Sequence, residues 1–169
     1  MRKSNIIEST LSEIAFLLVF VVLITNVIII NKQVESIDND SEIPFPIPSE
    51  ILFDSGKAIL KKNAQVELIK ISNEIKDILK KETNFINWEI RIEGHTDNRP
   101  ISTYRYKSNW DLSSARAISV VRFFVNNDVF QPDELQAMGY GDTKKLVENN
   151  SPENRQQNRR VEIKLIKRN

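Results

Sequence analysis

An uncharged apolar run stands near the N-terminus. It extends from Ile14 to Ile30 and is interrupted only by Thr25 and Asn26. A helix needs about 20 residues to cross the hydrocarbon core of a bilayer, and about 17 is the lower limit. The run therefore predicts one transmembrane helix over residues 12–31. A cleaved signal peptide is the alternative, but the run is long for one, and bulky residues stand where a small-residue cleavage site belongs.

The charges on either side of this run predict its orientation. Arg2 and Lys3 precede it, whereas Lys32 is followed mainly by acidic residues. Because basic residues are retained on the cytoplasmic side, residues 1–11 are predicted to lie in the cytoplasm and the C-terminal part outside it. This predicts a single-pass protein of the inner (cytoplasmic) membrane. Residues 32–49 are rich in acids and prolines, which predicts an extended linker.

The hydrophobic period changes after the linker. A short apolar run from Ile51 to Phe53 predicts a first strand. Between Lys57 and Lys81 the apolar residues recur at helical spacing, which predicts an amphipathic helix. Its apolar positions are Leu60, Ala64, Leu68, Ile71, Ile75, Ile78 and Leu79.

Three further stretches have the pattern of strands. Apolar residues alternate with charged ones before Gly94 and again near the C-terminus, which predicts half-buried strands. A third strand is predicted from Leu135 to Gly139. The alternating apolar positions are Trp88, Ile90 and Ile92 in the first case, and Val161, Ile163 and Leu165 in the last.

Two helix starts lie between these strands. Ser108 to Asp111 fits a capping box, so a helix is predicted from there to about Asn126. Ser151 followed by Pro152 predicts the start of a short helix. The apolar positions of the longer helix are Leu112, Ala115, Ile118, Val121 and Val125. Strands that alternate with helices predict an α+β domain over residues 50–169, with helices packed on a mixed sheet.

Composition narrows the function classes. The chain has a net charge of +1, and its basic residues are scattered, which argues against a nucleic-acid-binding stripe. It has no cysteine and a single histidine, His95. Thiolate metal sites, cysteine nucleophiles and a lipid-bearing cysteine are therefore excluded, and no metal site or cofactor is predicted. Neither a glycosidase carboxylate pair nor zinc-ligand spacing is recognisable, so no enzyme is predicted.

Several polar motifs follow one another in the C-terminal part. They are Ile92–Asn98 (IEGHTDN), Ser108–Ala117 (SNWDLSSARA), Gly139–Gly141 (GYG) and Asn154–Ile163 (NRQQNRRVEI). In order and spacing they closely resemble the OmpA-like peptidoglycan-binding domain, over roughly Ile51 to Ile166. The resemblance implies an OmpA-like α/β sandwich.

The resemblance also implies a binding site for diaminopimelate in the peptidoglycan stem peptide. The family's diaminopimelate-binding aspartate and arginine correspond to Asp97 and Arg116, and Asn109 matches the asparagine that lines the same pocket. The chemistry fits, because the ligand carries an ammonium beside a carboxylate, and a guanidinium can bind a carboxylate with two hydrogen bonds. An internal ion pair between Asp97 and Arg116 is the alternative reading.

Other residues near these motifs have two readings each. Thr96 and His95 are assigned to the site, although hydrogen bonding within its own loop is the preferred reading of His95. Arg155 and Arg159 either border the pocket or anchor the last helix, and the structural reading is preferred for the neighbouring Arg160. The remaining aromatic candidates, Phe53 and Trp110, are predicted to be core residues.

Within the superfamily the sequence is similar to the flagellar stator subunit MotB. This similarity rests on the stretch GHTDNRPI, an insert with Tyr104 and Tyr106, and the SNWDLSSARA motif. A single membrane helix with an acid near its cytoplasmic end also resembles MotB, and likewise the MotB-like ZorB subunit of Zorya antiphage systems. The resemblance implies a homodimer inside a ring of a MotA-like multi-span membrane protein.

Glu13 decides between two functions. In the first, it carries a proton or a sodium ion through a stator whose wall contact keeps the complex stationary. Intramembrane acids are costly and usually functional, although MotB has aspartate at this place. In the second, Glu13 is an N-terminal turn residue of the helix, stabilised by the helix dipole, and the protein is a passive tether between membrane and wall.

Overall fold

The computed structural model describes residues 42–81 and 88–167, together with Val21 and Thr25. The predicted transmembrane helix, apart from these two helical and exposed residues, lies outside that part of the chain, and so does Glu13. Among the described residues, no helix is both long and apolar enough to cross a membrane. The chain divides into two compact units at Ser41, and the second of them carries the fold described below.

Residues 42–81 and 88–167 of this unit contain four strands and four α-helices. They are β1 (Glu42–Pro48), α1 (Ser49–Leu52), α2 (Ala64–Lys81), β2 (Trp88–Gly94), α3 (Asn109–Asn126), β3 (Leu135–Gly139), α4 (Pro152–Asn158) and β4 (Arg160–Lys167), with a 3₁₀ turn at Pro132–Glu134. The strands form one sheet in the order β1-β4-β2-β3. β4 is antiparallel to both of its neighbours, whereas β2 and β3 are parallel. The predicted mixed sheet with helices is confirmed.

A single apolar cluster joins the sheet to the two long helices. The inward-facing residues of the strands, such as Ile92 and Ile163, pack together with Leu68 of α2 and Phe124 of α3. All four side chains are essentially inaccessible to solvent. Burial of such side chains contributes about 1.5–3 kcal/mol each, so this cluster is the main source of stability for the sheet.

The start of the domain differs from the prediction. The first strand is β1 at Glu42–Pro48, inside the predicted linker, and it pairs along its whole length with β4. Ser49–Leu52 is a helical turn, so the predicted strand at Ile51–Phe53 is wrong. Phe53 forms only an isolated bridge with Leu60.

Three prolines make the sequence of β1 resemble a linker. Pro44, Pro46 and Pro48 alternate with Ile43, Phe45 and Ile47. A proline has no N–H to donate, so a sheet tolerates it at an edge, where alternate residues direct their N–H groups away from the neighbouring strand. Ile47 belongs to the core cluster, and Ile43 and Phe45 pack against it. The prolines also leave the outer edge of β1 without these N–H donors, which protects it from pairing with another chain.

Two other details correct the sequence analysis. The helix predicted from Lys57 begins at Ala64, because residues 54–63 form turns and the bridge to Phe53. On α3, Ile118 is exposed and the buried face instead includes Arg116 and Phe124. The two predicted caps are confirmed, since the hydroxyls of Ser108 and Ser151 accept hydrogen bonds from backbone N–H groups in the first turns of α3 and α4.

Candidate functional site

The site lies where the parallel strands β2 and β3 end. The carboxyl ends of parallel strands meet at one edge of a sheet, which brings the loops after Gly94 and Gly139 together. The backbone N–H of Thr96 in the first loop donates to the carbonyl of Gly141 in the second, at 2.8 Å. This hydrogen bond joins the two loops, and Asp97 lies in the first of them.

Two glycines let α3 pack directly against the ends of β2 and β3. A Cβ at Gly94 would overlap the backbone of Ser113, and one at Gly139 would overlap Ser114. Both neighbours belong to α3, so a larger residue at either position would force the helix away. This close approach brings Arg116, two turns into the helix, to the cavity beside the Asp97 loop.

The Asp97 carboxylate is almost fully buried and receives several N–H donors. Oδ2 accepts from Arg159 Nη1 at 2.8 Å and from Arg99 Nη2 and Nε at 3.0 and 3.1 Å. Oδ1 accepts from the backbone N–H of Arg99 at 3.0 Å. Burial raises the pKa of Asp97, but the hydrogen bonds from Arg159 and Arg99 outweigh it and leave the pKa below its usual value. Asp97 is therefore an anion at neutral pH.

Arg116 is buried, and no described carboxylate pairs with it. Its Nε donates to the Lys57 carbonyl at 2.9 Å, its Nη1 lies 3.5 Å from Ser49 Oγ, and its guanidinium lies over the Phe53 ring. Within residues 42–81 and 88–167, it forms neither an ion pair nor a hydrogen bond with a carboxylate. The predicted alternative of an Asp97–Arg116 ion pair is therefore wrong.

Arg159 links the two acidic sides of the site. It donates to Asp97 and, through Nε at 2.7 Å, to Glu50 Oε1. Burial lowers the pKa of Arg159, and the hydrogen bonds with Asp97 and Glu50 outweigh this and raise it. Arg159 therefore borders the pocket, as one of its two readings predicted. It also anchors the end of α4.

Two adjoining cavities make up the site. One of about 250 Å³ opens beside Glu50 and Asp54, and the other of about 210 Å³ opens beside Thr96 and Asp97. Their walls have four residues in common, namely Ser55, Arg99, Arg116 and Arg159. The cavities are thus lined by both guanidinium groups and carboxylates, which suits a ligand that carries both signs of charge.

Asn109 and Thr96 complete the second cavity. Asn109 Nδ2 donates to the carbonyls of Asp97 and Arg99 at 3.2 and 3.1 Å, so it fixes the loop that carries them. Thr96 is buried, and its hydroxyl has no hydrogen-bond partner in the described part of the chain. Thr96 thus lines the cavity, while its hydroxyl oxygen is itself shielded from solvent.

Comparison with known proteins identifies the family. The sequence profile of the OmpA family matches residues 52–159, which include all the residues of the site except Ser49 and Glu50. The chain belongs to the OmpA family. The resemblance inferred from the motifs is confirmed.

Three similar proteins of the OmpA family are informative. Motility protein B of Bacillus subtilis is 34% identical over 82% of this chain and 51% of its own length. A MotB-like protein from Desulfovibrio vulgaris is similar in structure, with 34% identity, 75% of this chain and 76% of that chain covered, and a TM-score of 0.64. The cell wall anchor of the T6SS from Pseudomonas aeruginosa has 32% identity, 78% and 90% coverage, and a TM-score of 0.62. The chain spans about half the length of the curated relatives it matches.

Some predicted site residues of this OmpA-family domain lie elsewhere. His95 is buried and stacks on Tyr140, with Nε2 3.6 Å from Glu93 Oε2, and it lines neither cavity. Arg155 donates to the Asn149 carbonyl and also lines neither. Of the two aromatic residues predicted in the core, Phe53 is buried, but Trp110 is half exposed, so that prediction is wrong for Trp110.

Arg99 and Glu50 were not predicted for the site. Arg99 lines both cavities and Glu50 lines the first, and both contact residues that were predicted for the site. The position of Arg99 two residues after Asp97 is a usable signal, because such spacing allows a side chain to fold back onto the carboxylate. Glu50 gave no signal, since it lay at the boundary of the supposed linker.

A second cluster of polar residues lies on the face of the sheet opposite the long helices. Glu93, His95 and Glu162 each offer a metal ligand atom, all within 4.8 Å of one another. The Lys164 ammonium, however, lies 3.2 Å from Glu93 and 3.7 Å from Glu162, and Arg160 pairs with Glu162. Both carboxylates thus already form ion pairs, and a metal ion would have to displace the Lys164 and Arg160 side chains.

Proposed function

We propose that this OmpA-family domain binds the diaminopimelate-type stem peptide of peptidoglycan and so anchors the chain to the cell wall. The observation that carries the proposal is the Arg116 guanidinium, which is buried beside the Asp97 carboxylate and has no anionic partner among the described residues. A buried cation without a partner is costly unless a ligand compensates it.

The ligand chemistry matches this pair of residues. The free end of diaminopimelate bears an ammonium and a carboxylate on one carbon. Arg116 can direct two N–H groups at the carboxylate, while Asp97 accepts from the ammonium. Hydrogen bonds to charged groups contribute about 1.5–3 kcal/mol each, so a few of them explain binding at a small site. Asn109 supports the loop that carries Asp97, through its hydrogen bonds to the Asp97 and Arg99 carbonyls.

The names of similar proteins support this reading. One structural neighbour is described as a cell wall anchor, and others as motility protein B or MotB-like. The likeness to them covers most of the domain that contains Asp97 and Arg116. In this proposal the chain is a structural binder and does not catalyse a reaction.

Co-sedimentation with purified peptidoglycan sacculi tests the proposal. The full-length chain in mild detergent should pellet with sacculi, whereas Asp97→Asn and Arg116→Lys should stay in the supernatant. Asp77→Asn on α2 and Arg122→Lys on α3, both exposed, are matched controls that should pellet normally. Thermal unfolding of every variant separates loss of binding from loss of folding. Normal pelleting of both site variants would refute the assignment.

We further propose that the chain is the B subunit of a MotA/MotB-like ion-driven stator in the inner membrane. Two copies would pass through a ring of a multi-span partner, with Glu13 as the ion-carrying carboxylate. The likeness to motility protein B supports this proposal, and an antiphage system is one setting for such a complex. A passive tether without ion transport is the competing function.

Purification from native membranes distinguishes the stator from the tether. Native mass spectrometry of a stator should show two copies with several copies of a multi-span protein. Glu13→Gln should then abolish ion-dependent activity, and Glu13→Asp should retain it because a carboxylate remains. Recovery of the chain alone, or full activity of Glu13→Gln, supports the tether.

A further inference from the structure

Arg99 covers the carboxylate to which the ligand ammonium is assigned. Its Nε and Nη2 both donate to Asp97 Oδ2, at 3.1 and 3.0 Å. The side chain is 66% exposed and lines both cavities. Apart from Asp97, its guanidinium has no other hydrogen-bonding partner or ion-pair partner in the described part of the chain.

The second arginine on Asp97 is held differently. Arg159 has 24% of its side chain exposed, and it donates to Glu50 as well as to Asp97. Displacing Arg159 would break contacts with two carboxylates, whereas displacing Arg99 breaks contacts with one. Because Arg99 is also mostly exposed and can move into solvent, it is the cation that a ligand can replace.

We infer that Arg99 is a specificity-determining residue which occupies the ammonium subsite on Asp97 and is exchanged for the ammonium of the ligand. This inference rests on the proposed function and adds to it. One cation replaces another, so the Asp97 carboxylate keeps two cationic partners throughout. The backbone N–H of Arg99 still donates to Oδ1 after the side chain has moved, because this contact does not involve the guanidinium.

The exchange affects ligands with and without an ammonium differently. A ligand that has both charges must displace Arg99. It therefore binds only those molecules in which Arg99 has left Asp97, and its apparent affinity falls in proportion to their share of the population. A ligand with only the carboxylate binds Arg116 and leaves Arg99 in place. Removal of the Arg99 side chain should therefore favour the first ligand alone.

Calorimetric titration of the full-length chain in mild detergent tests this. The two probes are L-Ala-γ-D-Glu-meso-diaminopimelate and the same tripeptide ending in 2-aminopimelate, which keeps the distal carboxylate and lacks its ammonium. Arg99→Ala should bind the first peptide about two- to five-fold more tightly, a modest gain because the Arg99 side chain is itself mostly exposed. It should bind the second with the affinity of the wild type.

Arg105→Ala is the matched control, because Arg105 is an exposed arginine in the same loop and lines neither cavity. It should leave both affinities unchanged, which excludes a general effect of charge. If the wild type binds the diaminopimelate peptide and Arg99→Ala binds it equally or more weakly, Arg99 is no competitor and the inference fails alone. If the wild type binds neither peptide, the proposed function fails and the inference with it.

Discussion

Arg159 donates a hydrogen bond of 2.8 Å to Asp97, across 62 positions of the sequence. It connects the end of α4 to the loop after β2, and a second bond from Arg159 to Glu50 extends the connection to α1. Three separate parts of the chain thus meet at one guanidinium. We expect this contact to fix the direction of the Asp97 carboxylate.

Replacement of Arg159 should therefore weaken wall binding. Arg159→Ala removes a charge-assisted hydrogen bond from Asp97, a contribution of about 1.5–3 kcal/mol, so the affinity for a stem peptide should fall roughly tenfold or more. Titration calorimetry measures this directly. Arg155→Ala is the control on the same helix, because Arg155 lines neither cavity. Equal losses in the two variants would show that Arg159 acts only through α4.

Acid should destabilise the domain through Glu93. Burial raises the pKa of Glu93, but the His95 ring, 3.6 Å away, and the Lys164 ammonium, 3.2 Å away, outweigh it and lower the pKa from 4.5 to about 2. A lowered pKa stabilises the fold above the unfolded value of 4.5, and this stabilisation is lost as the pH falls towards 2. The loss between pH 7 and pH 3 should be about 2 kcal/mol.

Urea unfolding at pH 7 and pH 3 measures this loss. Glu93→Gln should be less stable than the wild type at pH 7, and the difference between the two should shrink at pH 3. Glu74→Gln on the exposed side of α2 controls for the general effect of acid. A constant difference between wild type and Glu93→Gln at both pH values would contradict the assignment.

The edge strand β1 should be essential for stability. Ile47 is 1% exposed and lies opposite Val161 in the core, so Ile47→Ala should cost about 2–5 kcal/mol. Val66→Ala, at a position that is 75% exposed, should change the free energy of unfolding by less than about 0.5 kcal/mol. Chemical denaturation compares the two. If Ile47→Ala costs no more than Val66→Ala, residues 42–48 behave as the linker that the sequence suggested.

The sequence predicted the elements whose pattern is local. The β2, β3 and β4 strands and the caps of α3 and α4 follow from alternation and from cap residues, and they were placed correctly. β1 was missed because its prolines match an edge strand and a linker equally well, and only the pairing with β4 decides. Burial of Glu93 was missed for a similar reason, since alternation cannot show that loops and neighbouring charges cover the outer face of the sheet.

The site was predictable as a set of residues but not as a set of contacts. The motifs and their resemblance to the OmpA-like domain assigned Asp97, Arg116 and Asn109 to one pocket and left the role of Arg159 open. The partners of each side chain depend on how α1 and α4 approach the loop, which no local pattern encodes. For this reason the Asp97 partners proved to be Arg99 and Arg159, while Arg116 donates to the Lys57 carbonyl.

In the proposed function, Arg116 recognises the free carboxylate of diaminopimelate. The most direct test is calorimetric titration of the full-length chain with L-Ala-γ-D-Glu-meso-diaminopimelate and with the same tripeptide ending in L-lysine, which has the ammonium but no side-chain carboxylate. We predict at least about tenfold tighter binding of the diaminopimelate peptide, and loss of that preference in Arg116→Gln. Equal affinity for the two peptides in the wild type would contradict the account.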